Sequence, residues 1–442
     1  MKLKYENTSQ LTLEDLTKIS KTIDSYVDRL NQVAGSTDLY GEAEGSVNLS
    51  IDSRYQKQIN DLLTNFDYSK LKYILVIGIG GANLGSKAIY DAIYGYYDLL
   101  EPERTPKIIY LDTNDPLFII KTQQLLQRSI EEPEELAINI ISKSGVTAET
   151  IFNTRAILDV LPLEAYSDRI IVTSGTETEL TKQAQKLNLR TISVPEIIGD
   201  RYSIFSANGL IPLRLAGIET KEFLDGAKSS RMMCLDSNIA TNPALQSAAI
   251  LFSHFNEGKV ISDNFFFHPE LESLGKWYRQ LMGESNGKES TLDGKIVHTG
   301  ITPSISLGSV DLHSVLQLYL GGPRNKITTF ISSRENHEIN QNVILENNPP
   351  LEQIIPEIKD ASAGEIMWAI LQGVKIAYQN QELPFMEIQL EEVSLFELGS
   401  FMQYKMFEMM YLGALLNINV FEKPNVESYK VETKRILNSH TS

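Results

Sequence analysis

The sequence predicts an α/β protein made of two doubly wound domains with mainly parallel central sheets. Three observations predict it. Short apolar, β-prone runs alternate with longer stretches of helical periodicity along much of the chain. These runs are apolar on both faces, as strands covered by helices on both sides must be. At 442 residues the chain is also too long for one small core, so two domains are expected.

Residues 1–45 are polar, with helical stretches that include 13–30, and read as a helical N-terminal segment. Runs at 73–79, 107–111, 136–141, 169–173 and 191–194 then read as strands, with helices at 84–97, 117–128, 147–161 and 177–187 between them. Five strands and four crossovers complete one doubly wound domain over 46–196. A helical connection at 197–244 leads to a second α/β domain at 245–400. Its strands are expected at 260–267, 326–331 and 385–390, with helices at 271–282, 363–378 and 395–416. The stretch 336–350, rich in Asn, Glu and Pro, reads as an excursion. Residues 401–442 form the last helix and a C-terminal tail.

Composition narrows the function. Hydrophobic residues make up 42% and charged residues 22%, as expected of a globular protein with a large core. A net charge of −17 argues against nucleic-acid binding, which needs a basic surface to displace counterions from phosphates. Any anionic ligand must therefore be held locally, by backbone N–H groups, hydroxyls and a few placed cations. The single cysteine, Cys234, lies between Met233 and Leu235 and reads as a small core residue. With no apolar run near the ~18 residues of a membrane helix, a soluble cytosolic protein is expected.

Two loops follow predicted strands, where ligands bind in open parallel sheets. The first runs Ile77-Gly-Ile-Gly-Gly-Ala-Asn-Leu-Gly85. Its glycines permit a tight turn and close backbone approach to an anion at a helix start. It fits a dinucleotide fingerprint poorly, because Asn83 stands where the last glycine belongs and Asp112 lies 32 residues beyond Gly80 instead of about 20. Alone, it is equally a packing turn. The second loop, Ile141-Ser-Lys-Ser-Gly-Val-Thr-Ala-Glu-Thr150, offers Ser142, Ser144 and Thr147 at a helix start. Capping needs one hydroxyl, and three around a glycine exceed that, so phosphate binding is expected. Whether Lys143 faces ligand or solvent is open from the sequence.

With these loops, four further segments complete a resemblance: Gly199-Asp-Arg-Tyr-Ser203, Gly283-Glu-Ser-Asn-Gly-Lys288, Asp311-Leu-His-Ser-Val-Leu-Gln317 and Pro424-Asn-Val-Glu-Ser-Tyr-Lys430. In order and content the six resemble the signatures of the glucose-6-phosphate isomerase family, from about residue 70 to 430. The resemblance implies sugar-isomerase-type domains and reversible isomerisation of D-glucose 6-phosphate and D-fructose 6-phosphate. It implies Glu284 as a base shuttling one proton between adjacent carbons through a cis-enediol, made more basic by partial desolvation. Arg201 is expected to stabilise the enediolate oxygen, and His313 and Lys430 to assist ring opening. Gly81, Ala82, Ser142, Lys143, Ser144, Thr147 and Gln280 are the expected substrate contacts. No cofactor and no metal are expected, since the histidines lack paired ligand spacing. A homodimer with shared active sites is implied, His313 entering the partner's site.

Three positions depart from the family pattern. Ala82 stands where serine is common, Asp200 replaces the glycine before Arg201, and Lys423 occupies the place of a glutamine. Two other readings fit the loops: a non-catalytic sugar-phosphate sensor, and an isomerase also accepting mannose 6-phosphate. The sensor has no use for Glu284, His313 and Lys430 together.

Overall fold

The computed structural model describes residues 1–333, 354–358 and 361–440. The expected excursion at 336–350 lies outside the described residues. Two five-stranded sheets organise the chain. The first consists of β2 (Tyr73–Ile77), β3 (Lys107–Leu111), β4 (Leu136–Ser142), β5 (Ile170–Ser174) and β6 (Arg190–Ser193), in the order β3-β2-β4-β5-β6. All its pairings are parallel. Every residue of β4 is buried, which explains its mostly apolar run; the buried Asn139 donates from Nδ2 to the Ile171 carbonyl and Thr173 Oγ1. After β3 the chain crosses back over β2 to lay down β4, so connections leave these two strands toward opposite faces. That switch opens a crevice at the carboxyl ends of β2 and β4.

The second sheet has the order β1-β12-β11-β7-β10, from β1 (Lys2–Lys4), β7 (Ile261–Phe266), β10 (Thr302–Leu307), β11 (Lys326–Ser333) and β12 (Phe385–Leu390). β7, β10, β11 and β12 run parallel, and β1 closes one edge antiparallel to β12. The first residues are therefore not part of a purely helical segment; three of them form an edge strand, too short to show alternation in the sequence. β10 also escapes sequence reading, because Pro303 and its serines disguise it. As the opposite edge strand it tolerates a proline that an interior strand would not. A small hairpin pairs β8 (Lys288–Ser290) with β9 (Ile296–Thr299).

The helix Leu395–Leu415 is buried along nearly its whole length and packs on helices Thr220–Cys234 and Pro243–Asn256. It runs through position 400, where the sequence suggests a boundary. Its crossing with Thr220–Cys234 is a backbone contact. A Cβ on Gly226 would lie 1.9 Å from the Phe396 carbonyl oxygen, and one on Gly399 would lie 1.9 Å from that of Phe223. Lys405 and Glu408 on this helix form a fully buried ion pair at 3.0 Å, with Tyr278 and Tyr404 donating their hydroxyls to the carboxylate at 2.7 and 3.1 Å. Cys234 is buried in this core, and burial pushes its thiol up to about 12. Among the described residues, no helix is long and apolar enough to cross a membrane.

Candidate active site

The helix Glu272–Asn286 carries Glu284 in its last turn. From the sequence the helix is expected to stop at 282, leaving Glu284 on a turn. Lys288 extends it by donating from Nζ to the Glu284 carbonyl at 2.6 Å and to the Glu422 carbonyl at 2.7 Å, satisfying a carbonyl that the helix end leaves free. Position 284 is thereby one helical turn from Gln280, and Gln280 Nε2 donates to Glu284 Oε1 at 3.1 Å.

Glu284 Oε2 faces two cations, Arg201 Nη1 at 3.2 Å and Lys423 Nζ at 3.4 Å. Arg201 is 1% exposed, so its direction is fixed by packing. Its Nε donates to Ser285 Oγ at 3.0 Å, and its Nη2 donates to the Val420 carbonyl. Ser285 in turn shares a hydrogen bond of 2.9 Å with the Tyr202 hydroxyl. Burial pushes the Glu284 carboxyl up, but Lys423, the Gln280 hydrogen bond and Arg201 together outweigh it, and the net shift is downward. This corrects the expectation that partial desolvation raises its basicity: the burial is present, and two cations override it.

The glycine loop reaches this cluster from the end of β2. Gly80 adopts φ +62°, a left-handed conformation favouring glycine. A Cβ on Gly81 would stand 2.4 Å from the Asp200 carbonyl carbon and 2.6 Å from Arg201 N. Only a bare backbone lets this loop lie against Asp200 and Arg201. Ala82 is buried beside it, and Asn83 Nδ2 reaches Asp112 at 3.4 Å. Asp200 Oδ1 and Gln280 Oε1 are buried acceptors without a partner among the described residues.

At the end of β4, Ser142 Oγ lies 3.0 Å and Ser144 Oγ 3.5 Å from Thr147 Oγ1. Thr147 is the N-cap residue of helix Ala148–Leu158, yet its hydroxyl caps no backbone N–H. Three hydroxyls thus converge at a helix start whose first-turn N–H groups no side chain of the cap residue occupies. Lys143, left open by the sequence, turns toward the Arg201 segment and donates to the Ile198 carbonyl at 2.7 Å. Burial lowers its pKa, and Asp200 opposes the change.

His313 and Lys430 stand apart from this hydrogen-bonded set. His313 is exposed, at the end of the short helix Val310–His313, and bonds to none of these groups. Lys430, on helix Pro424–His440, pairs with Glu427 at 2.7 Å. That hydrogen bond raises its pKa, with a smaller contribution from Asp200.

Sequence reasoning missed Lys288 and Ser285 and did not foresee the contact between Lys423 and Glu284. Lys288 is four residues beyond Glu284, a helical spacing visible only once the helix is known to continue. Its burial, reinforced by Arg201, lowers its pKa to about 8. Among the described residues, no group of three or more His, Cys, Asp or Glu side chains is placed to hold a metal ion.

Comparison with known proteins identifies the family. Residues 64–442 match the model of the family described as phosphoglucose isomerase. The chain belongs to the phosphoglucose isomerase family. Its members include the glucose-6-phosphate isomerase of Methanocaldococcus jannaschii, 30% identical over 441 residues and covering 98% of each chain. The glucose-6-phosphate isomerase of Carboxydothermus hydrogenoformans is 30% identical over 375 residues, 83% of this chain and 79% of that one. A hypothetical protein from Thermus thermophilus shares the fold at a TM-score of 0.82, with 26% identity and 96% of each chain covered. A glucose-6-phosphate isomerase from Chlamydia trachomatis shares it at 0.81, with 18% identity, over 100% of this chain and 89% of that one. Family membership makes this an aldose–ketose isomerase, and the two mainly parallel sheets are those of phosphoglucose isomerases.

Proposed function

We propose that the protein interconverts D-glucose 6-phosphate and D-fructose 6-phosphate through ring opening and a cis-enediol, with Glu284 as the base. One observation carries the reading: the Glu284 carboxylate is bonded to Gln280 and Arg201, the residues against which the glycine loop packs at Gly80 and Gly81. In this reading the Ser142, Ser144 and Thr147 hydroxyls hold the phosphoryl group, assisted by Lys143 and the free N–H groups of the helix start. Backbone at Gly81 and Ala82 and the side chain of Gln280 line the sugar, with Asp200 Oδ1 and Gln280 Oε1 accepting from its hydroxyls.

The proton balance is simple. Ring opening moves a proton from the anomeric hydroxyl to the ring oxygen, the task given to His313 and Lys430. Glu284 then removes the proton from C2 of the aldose while the C1 carbonyl oxygen gains negative charge. Arg201 offsets that charge as a permanent cation. After a proton moves between O2 and O1, Glu284 returns its proton to C1, giving the ketose with no net change in protonation. The Glu284–Arg201 contact already present keeps the carboxylate ionised, the form able to accept a proton. Because His313 does not join the cluster within one chain, the homodimer implied by the resemblance, with His313 supplied across the interface, belongs to the same proposal.

A coupled assay of the purified protein with fructose 6-phosphate tests it, run with and without chelator. Glu284→Gln should lower kcat by at least about 10²–10⁴ while the protein stays folded. Near-normal turnover of this variant, or loss of parent turnover on chelation, contradicts the mechanism.

A further inference from the structure

A cavity of about 590 Å³ opens well away from the chemistry just described, and none of its lining residues belongs to the Glu284 cluster or the serine–threonine loop. One wall is the turn at Ser50 and the face of helix Ser53–Leu63 bearing Gln56 and Lys57; the other is Arg214 and the start of helix Thr220–Cys234. We propose that this cavity binds a multiply charged small-molecule oxyanion, at a site separate from the isomerase centre.

Four features point to an anion. Lys57, Arg214, Lys221 and Lys228 line the cavity against one acid, Glu219. Asp225, just outside the lining, pairs with Lys221 at 2.7 Å and Lys228 at 3.0 Å, so two positive charges (four minus two) remain in surplus on a chain of net charge −17. Arg214 is half-buried, yet all its hydrogen bonds go to neutral acceptors: Thr220 Oγ1, Asn60 Oδ1 and Gln56 Oε1. Glu219 is near enough to act on this partly desolvated guanidinium but does not hydrogen-bond to it, and a guanidinium with no carboxylate among its hydrogen-bond partners favours an anionic ligand.

The neutral groups agree. Ser50 is 1% exposed and its hydroxyl has no partner among the described residues, and the buried Gln56 Nε2 has none either. Helix Thr220–Cys234, 15 residues long, starts at the cavity with no side-chain cap at Glu219, leaving first-turn N–H groups unclaimed by that residue. The lining thus combines donors and surplus positive charge in a volume suited to a metabolite. Ser50, Gln56 and Lys57 precede residue 64, where the match to the family model begins.

Hydrogen–deuterium exchange of the full-length protein tests this, with pyrophosphate and citrate as phosphoryl and carboxylate probes. Either should slow exchange in segments 50–60 and 217–228, and the stronger probe assigns the chemistry. Lys57 and Lys221 are exposed, so K57E/K221E should fold and keep its isomerase turnover while raising the half-saturating probe concentration by about tenfold or more. Ser50→Ala should raise it as well, through loss of one buried donor. The proposal is overturned if neither probe protects these segments, or if protection persists unchanged in both variants. These readouts require no sugar turnover, so they stand or fall independently of the isomerase mechanism.

Discussion

Replacing Lys423 by Met should move the acid limb of the pH profile of kcat/KM upward. In the parent, Lys423 Nζ lies 3.4 Å from Glu284 Oε2, with side chains 31% and 23% exposed. At that separation the attraction is about 1.2 kcal/mol in water and about 5 kcal/mol at an effective dielectric near 20. Because the pair is partly wetted, the lower part of that range applies, about 1.4–2 kcal/mol or roughly 1–1.5 pH units. The sign follows from the charges. Lys423 stabilises the carboxylate, so removing it favours the protonated form, raises the Glu284 pKa and shifts the acid limb to higher pH. Arg201 remains, so the shift is partial. The same linkage affects stability: Glu284, with its lowered folded pKa, contributes stability above its unfolded pKa that is lost as pH falls through the folded value. The assay is the initial rate with fructose 6-phosphate from acid to alkaline pH, with Lys423→Arg as a charge-preserving control. An acid limb at the same pH in the parent, Lys423→Met and Lys423→Arg would refute the argument.

Three further outcomes are expected. Ser142→Ala with Thr147→Val should raise KM for the sugar phosphate by about a hundredfold or more, at about 1.5–3 kcal/mol for each of the two lost charged hydrogen bonds, with little change in Tm. Glu408→Leu should cost about 3–5 kcal/mol in urea unfolding by stranding the buried Lys405, and Lys405→Met in the same chain should restore part of it. Mixing subunits of Glu284→Gln with subunits of His313→Ala, each inactive alone, should restore activity on co-refolding; heterodimers that form but stay inactive would refute site sharing.

The sequence by itself determined the class of the fold, because strands buried on both faces must be predominantly apolar, as in 136–141 with Asn139 the one polar residue, and helices between them must show one apolar stripe. It also marked the hydroxyl loop: Ser142, Ser144 and Thr147 share one short segment, and local chain geometry brings them together. The four-residue spacing of Gln280 and Glu284 was visible, but with the helix expected to end at 282 their contact was decided only by its continuation to Asn286. Tertiary structure alone decided the rest. Lys423 reaches Glu284 from 139 positions away, and Arg201 from 83. The charge state of the carboxylate is set by these distant cations in opposition to its burial, and no local pattern encodes that balance. Edge strands β1 and β10 were equally hidden, since an edge position relaxes the apolar and hydrogen-bonding demands that make interior strands readable.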